Sequence, residues 1–419
     1  MSPAAATSGR FTTLTQDMRV LFVVAVVIRV AVILALRNFD QVTGFEHEDI
    51  ALHLVAGHGY AWERFGPLSP TACQYPFYTF YLAAFFWLFG KNFLYVELSH
   101  ALISAGSVLL LRTLAREFVP PRAALLAAWL WAVHPISVYW SARPQPLTVD
   151  IFLLMLLMLL MARAMRDPAL RPWVLSGILL GACALSKTTY VFLMAPLGLW
   201  SWLNRTVDAR TWLTRFAQMV VVFALTLVPW ITRNAITLGG FVPLTTCGTH
   251  VLWVATHPEA EGGVFAADGR PIPEKLTPEM EQRLWNASGD IERQQIFLDE
   301  AMKNIRANPG RIVELIPKRL VALWWFEPYM PSEYPLARKV VWVLELIPTL
   351  LGLWLLRRQW RQLSAFVGIY VTLSVLYGAF HGSPRFRYFV EFTFVILAAH
   401  ALLTLWDLLR NRGGKRPAP

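Results

Sequence analysis

Apolar residues run along this chain in long blocks, separated by short polar turns. A spanning helix needs about 20 mostly apolar residues, and blocks of that order lie at 18–37, 92–113, 120–138, 147–165, 173–187, 188–203, 212–232, 338–356, 362–380 and 388–410. The pattern predicts an all-α polytopic membrane protein of about ten transmembrane helices. One further run, Pro76–Phe89, is about 14 residues long, which is short for a span and suits a buried or interfacial helix.

Arginine placement decides whether that run crosses. If it stays on one side, the internal segments are 1–19, 112–122, 163–171, 205–215, 357–361 and 410–415, and each is rich in arginine. If it crosses, Arg112, Arg116 and Arg122 move outside and the rule fails. Pro76–Phe89 is therefore expected in the outer interface, where its Tyr, Phe and Trp side chains suit the headgroup level. Three outer segments follow: 38–75, 134–146 and 233–336. The chain divides into an N-terminal transmembrane module (1–232, with the first outer loop at 38–91), an outer segment (233–337) and C-terminal transmembrane helices (338–419). Within the outer segment, the spacing of Met280, Leu284, Ile291, Ile296, Leu298 and Met302 predicts one helical stretch over 278–305. The first apolar block has no small-residue cleavage site after it and is expected as a retained helix.

Composition agrees with lipid as the main solvent: 56% of the 419 residues are hydrophobic and 16% charged, against about a quarter charged in soluble domains. The net charge of +11 sits mostly in short basic runs beside apolar blocks. That distribution reflects orientation in a membrane rather than a nucleic-acid face. Anionic headgroups or a phosphorylated ligand are the negative partners it suits. Cys73, Cys183 and Cys247 form no CxxC and no clustered Cys/His spacing, so no zinc module is indicated. Cys73 and Cys247 share the outer face, where disulfides persist; a bridge and two free thiols both fit.

Candidate chemistry concentrates in the first outer loop, Gly44-Phe45-Glu46-His47-Glu48-Asp49-Ile50-Ala51-Leu52-His53-Leu54, continued by Ala56-Gly57-His58-Gly59-Tyr60. On a helix Glu46, Asp49 and His53 share one face, while Ile50 and Leu54 hold the other. A carboxylate partly desolvated at a membrane boundary suits a general base; the same pattern also suits a solvated amphipathic helix. Lys187 and Arg29 lie inside apolar stretches. An intramembrane cation costs about 2.5–3.5 kcal/mol on insertion scales and so usually has a partner or a polar cavity. Lys187 could neutralise a lipid phosphate or snorkel to headgroups, whereas Arg29 is expected to be structural. Arg233, Arg385 and Arg387 fall outside, against the orientation rule, and their guanidinium forks suit phosphate. Headgroup contacts are the plainer alternative.

In order along the chain stand Ala51-x-His53-Leu54-x-Ala56-Gly57-x-Gly59-Tyr60, Gln74-Tyr75-Pro76-Phe77-Tyr78 and Trp131-Ala132-Val133-His134-Pro135. They are followed by the Gly-rich stretch ending at Lys187, Pro229-Trp230-x-x-Arg233-Asn234 with Gly240-Phe241-x-Pro243, and Arg385-x-Arg387-Tyr388. This series resembles the GT-C glycosyltransferases of the protein O-mannosyltransferase and lipid A aminoarabinose transferase type, over roughly 18–410. The family's commonest form opens the first loop with Asp-Glu, where this chain has Thr43-Gly44; the nearest acid is Glu46, about one helical turn later. The resemblance implies a GT-C fold with interfacial helices in the first outer loop. It implies transfer of a sugar from a polyprenyl-phosphate carrier to a hydroxyl on a lipid, glycan or protein acceptor. Glu46, then Asp49, is the expected base. Lys187, Arg233, Arg385 and Arg387 are expected around the donor phosphate, and His53, Tyr75, His134 and Tyr388 around the substrate. No cofactor, metal or nucleic acid is implied, and the expected place is a bacterial inner membrane with the site facing the periplasm. A transporter or flippase for lipid-linked saccharides, or a non-catalytic scaffold, would share many of these features. Few charged residues at depth and no inverted repeat favour the enzyme.

Overall fold

Nearly every element of the chain is a helix, because a backbone in hydrocarbon must satisfy its own hydrogen bonds. The structure, a computed structural model, describes residues 17–40, 45–327, 329–330 and 335–413; Thr43 and Gly44 of the first outer loop lie outside the described residues. The first span, α1 (Met18–Leu36), is capped by the Asp17 side chain. It is followed by α2 (Glu46–Val55) and a two-residue hairpin, β1 (Ala61–Trp62) with β2 (Ser69–Pro70). Then come α3 (Pro76–Phe89), α4 (Phe93–Ala115), α5 (Pro121–Ala132), α6 (Pro135–Ser141), α7 (Leu147–Ala164), α8 (Leu170–Ser186), α9 (Thr189–Leu203) and α10 (Ala209–Leu238). The outer segment holds α11 (Gly248–Thr256), α12 (Pro278–Asn286), α13 (Asp290–Ala307) and α14 (Pro309–Trp324). The chain closes with α15 (Pro335–Leu355), α16 (Trp360–Ala379), the single turn α17 (Arg385–Tyr388) and α18 (Glu391–Gly413).

Among the described residues six helices are long and apolar enough to cross a membrane: α1, α4, α7, α10, α16 and α18. The expected span over 120–138 is instead the pair α5 and α6, bent by 46° and able to make a seventh crossing. Its break falls at His134-Pro135, where proline lacks the amide that would continue the ladder. The apolar helices α3, α8 and α9 are shorter.

The helices pack in sequence, α1 on α4, α4 on α7, α7 on α8 and α8 on α10, while α15 and α18 pair with each other and α18 rests on α5. Small residues set the closest approaches. A Cβ at Gly177 would stand 2.6 Å from Met219 O, and one at Gly352 would collide with Leu397 O, so α8 meets α10 and α15 meets α18 at backbone distance. Arg29 is fully buried in α1. Its guanidinium donates to Ser104 Oγ, Ser137 Oγ, Ala25 O and Ala132 O, so an intramembrane charge is met by hydroxyls and carbonyls of three other helices and of its own.

The arginine-rich turns gather at one end of the bundle. Arg166 pairs with Glu117 at 2.6 Å and Arg122 with Asp407 at 3.5 Å. Thr206 N donates to Met165 O, and Asn204 Nδ2 to Arg361 O. Both ends of α3 lie at the opposite end: Thr188 Oγ1 donates to the Tyr75 hydroxyl just before it, and Lys91 just after it meets Glu48 of α2 at 2.6 Å. Phe80, Trp87, Leu88 and Phe89 of α3 are exposed, as lipid-facing side chains of an interfacial helix would be.

The outer segment has its own core of Trp253, Met280, Leu284, Ile296 and Phe297. The helix expected over 278–305 is two helices. Gly289 is extended between them, and the Ser288 amide and hydroxyl both donate to Glu292, which starts the second helix afresh. Met280, Leu284 and Ile296 face the core, but Ile291 is exposed. Cys73 and Cys247 form a disulfide with Cα atoms 4.7 Å apart, joining the first outer loop to the outer segment. Asp290 strengthens the same seam, its Oδ2 accepting from Thr71 Oγ1, Ala72 N and Thr246 Oγ1 at 2.7–2.9 Å.

Candidate active site

Three acids in the first turn of α2 place negative charge at the positive end of the helix dipole. Glu46, Asp49 and His53 lie on its partly exposed face, as the spacing predicts, while His47, Glu48, Ile50 and Ala51 are buried. Each acid is tied differently. Arg64 Nη1 lies 2.9 Å from Glu46 Oε1. Trp62 Nε1 donates to Asp49 Oδ2 at 3.4 Å. Glu48 faces Lys91. His47 Nδ1 meets Thr79 Oγ1 at 2.8 Å. Burial, helped by the nearby Arg385 charge, pushes His47 down to about 3, so its imidazole is neutral at ordinary pH.

The second half of the site is built at the break between α8 and α9. Lys187 adopts an extended conformation there, with its ammonium 4.5 Å from the Phe389 ring centre and 5.5 Å from that of Phe386. Beside it, buried Asp150 accepts from Ser186 Oγ at 2.6 Å and lies within Coulombic reach of Lys187. The next two residues hold tyrosines: Thr188 bonds Tyr75 at 3.0 Å, and Thr189 Oγ1 lies 2.9 Å from the Tyr377 hydroxyl. Tyr377 stacks on Phe386 with ring centres 4.1 Å apart, which fixes the turn carrying Arg385. Arg385 is exposed and, among the described residues, has no ion pair. Its charge bears on Lys187, His47 and His381, the last also held near 3 chiefly by burial. Tyr75 is raised above its usual value by burial. Lys187, Arg385 and Tyr75 therefore share one locus with the buried face of α2.

The other expected site residues are engaged elsewhere. Arg233 donates to Thr71 O, Tyr60 O and Asn234 Oδ1, so its fork braces the first outer loop, while the side chain also lines an apolar cavity beside the site. Arg387 is buried, donates to Leu323 O and Trp325 O, pairs with Glu391 and lies 3.8 Å over the Trp342 ring. Tyr388 is buried near Trp140, its ring centre 6.2 Å away. His53 Nδ1 lies 3.2 Å from His58 Nδ1, with Glu63 at 4.0 Å. His134 sits in the bend between α5 and α6 near Glu345 and Glu391, and these three could together hold a metal ion. Sequence reading missed Asp150 and Tyr377. An acid in the first turn of an otherwise apolar span was the available signal for Asp150; nothing in the sequence marked Tyr377.

Beside this locus an apolar cavity of about 710 Å³ runs between α3, the end of α8 and α10, lined by Phe77, Phe80, Tyr81, Leu185, Pro229 and Trp230.

Residues 70–232 match the family described as dolichyl-phosphate-mannose-protein mannosyltransferase. No curated protein matches the chain at a significant level. Among solved structures the chain is similar to the apo form of the Archaeoglobus fulgidus oligosaccharyltransferase, with a TM-score of 0.54 and 14% identity over 96% of this chain and 52% of that one. The complex of the same Archaeoglobus fulgidus enzyme with Zn and sulfate gives a TM-score of 0.52 and 14% identity over 94% of this chain and 50% of that one. The chain thus spans about half the length of the structures it matches. The family match covers residues 70–232, less than half of the chain, and the solved structures show a shared fold.

Proposed function

We propose that the protein moves a sugar from a polyprenyl-phosphate carrier to a hydroxyl acceptor, at the end of the bundle away from the arginine-rich turns. The observation that carries this reading is the meeting of Lys187, Arg385 and Tyr75 at the α8–α9 break, beside the helix that bears Glu46 and next to an apolar cavity. Two cations suit a phosphate, and the cavity suits prenyl units. The matched family's description, with its lipid-phosphate sugar, supports the donor class.

In this mechanism Glu46, or else Asp49, accepts the acceptor hydroxyl's proton as that oxygen bonds to the anomeric carbon. The bond from the anomeric carbon to the phosphate oxygen breaks, and the electron pair leaves with the lipid phosphate. Lys187 and Arg385 meet the charge that grows there. Arg387 keeps its loop in place through backbone carbonyls, and Arg233 braces the first outer loop at the wall of the cavity. The acceptor is a lipid, glycan or protein hydroxyl, and the protein sits as a multi-pass component of a bacterial inner membrane with this end towards the periplasm.

The test uses vesicles containing the full chain and a polyprenyl-phosphate sugar. Acceptor-dependent release of free polyprenyl phosphate is expected. Movement of the intact carrier across the bilayer without cleavage would replace the transferase by a flippase.

A further inference from the structure

Away from the Lys187 locus, three side chains from separate parts of the bundle converge on one point: His134 at the α5–α6 bend, Glu345 midway along α15 and Glu391 at the start of α18. One ligand atom from each lies within 4.8 Å of the others. His134 is 8% exposed and Glu391 1%. Neither ring nitrogen of His134 has a hydrogen bond, nor do Glu345 Oε1 and Glu391 Oε2. Buried polar atoms without partners are costly and rare, and here four of them cluster.

Arg387 accounts for only part of the cluster. Its Nε lies 3.3 Å from Glu391 Oε1, which leaves Oε2 facing inward. Arg29 reaches His134 only through Coulombic interaction, since its donors are engaged by hydroxyls and carbonyls. Tyr370, which is near Glu345, bonds Thr393 instead. A proton on His134 is the simpler way to meet Glu345, but a charged N–H···O⁻ bond is about 2.7–2.9 Å long. His134 Nε2 stands 3.4 Å from Glu345 Oε1, longer than such a bond. That spacing instead matches the edge of a tetrahedron whose arms are about 2.0–2.1 Å, the length of zinc bonds to imidazole and carboxylate.

We infer that His134, Glu345 and Glu391 form a divalent metal site of the zinc class inside the helix bundle. Arg387 orients Glu391 from outside, as a hydrogen-bonding partner commonly orients a ligating carboxylate. The ion ties the α5–α6 bend to the α15–α18 pair. The site is independent of the transferase reading and is a fastening point in the bundle.

The experiment uses the full chain purified in detergent, stripped with a chelator, reloaded with zinc chloride and freed of excess. Metal per chain is read by mass spectrometry. His53 and His58 at the surface could hold zinc of their own, so the informative quantity is the difference between wild type and variants. His134→Ala and Glu345→Gln should each hold about one ion fewer per chain than wild type. Because either variant could fold poorly, cobalt(II) is added to wild type in parallel. Intense visible bands of four-coordinate cobalt, displaced by zinc, are expected. Equal metal content in wild type and well-folded variants, or only the pale spectrum of hydrated cobalt, would overturn the proposal and leave a proton on His134 as the occupant.

Discussion

Arg64 Nη1 and Glu46 Oε1 stand 2.9 Å apart across the first outer loop, with both side chains partly open to solvent. The guanidinium occupies one carboxylate oxygen and leaves the other free to receive a proton. Glu46→Gln keeps the size and removes the base, so transfer should fall by about 10²–10⁴-fold while binding of the lipid-linked sugar persists. If turnover survives Glu46→Gln but is lost in Asp49→Asn, Asp49 is the base.

The four outer cations should separate into two classes. Lys187→Met and Arg385→Ala should weaken retention of polyprenyl phosphate, measured by mass spectrometry of co-purified lipid, with little change in melting temperature. Arg233→Lys and Arg387→Lys keep a charge but lose a fork that serves two backbone carbonyls. Tyr60 O keeps the Thr71 amide, but each of the other carbonyls left without a donor costs about 1–3 kcal/mol, so these two variants should melt earlier and lose less bound lipid than the first two. The opposite pattern would return Arg233 and Arg387 to the phosphate.

Acid should weaken the outer assembly through His47 and His381, both pushed down to about 3 by burial and then by Arg385. Their folded-state values lie below the unfolded one, so the unfolded chain binds more protons in acid. Stability is full above pH about 6.5 and is lost as the pH falls towards about 3, by about 1.4 kcal/mol per pH unit for each histidine. Melting temperature measured from pH 7 to 4.5 should drop, and less steeply in His47→Gln. An unchanged slope would mean His47 does not stay neutral in the fold.

Reduction of the Cys73–Cys247 bridge, or Cys73→Ser, should destabilise the seam between the first loop and the outer segment by about 2–4 kcal/mol. Limited proteolysis within 233–327 reports it. Cleavage at the same rate with and without reductant would show that Asp290 and its three donors hold the seam unaided.

Orientation is checked with Arg122→Cys, whose parent side chain is 70% exposed at the arginine-rich end. An impermeant thiol reagent added to intact cells should leave it unlabelled, whereas Arg64→Cys should react.

Much of this architecture could be read from the chain because lipid imposes a coarse rule: apolar blocks cross, and arginines mark one side. The same rule, with its short length and aromatic content, argues that Pro76–Phe89 stays on one side, and the contacts of Tyr75 and Lys91 put both of its ends at the site end of the bundle. Roles set by distant partners could not be read so. Arg233 and Arg385 look alike in sequence, yet one meets carbonyls of Tyr60 and Thr71 while the other remains exposed. Glu46 and Asp49 were visible as acids on one helical face. His47 was not marked as the residue that faces Arg385, since that depends on how α2 docks. The break at Gly289 was hidden because apolar spacing continues through it on both sides.

The disulfide also sets an order of events during synthesis. Its two cysteines are 174 residues apart, and a ribosome adding about 5–20 residues per second needs roughly 9–35 s to bridge that interval. Cys73 emerges early, and every helix from α3 to α10 must be made before its partner arrives. Throughout that delay the thiol is open to the wrong oxidation partner, including a second nascent copy of the chain. Production of this protein should therefore depend on the cell's capacity to reshuffle disulfides more than on its capacity to form them.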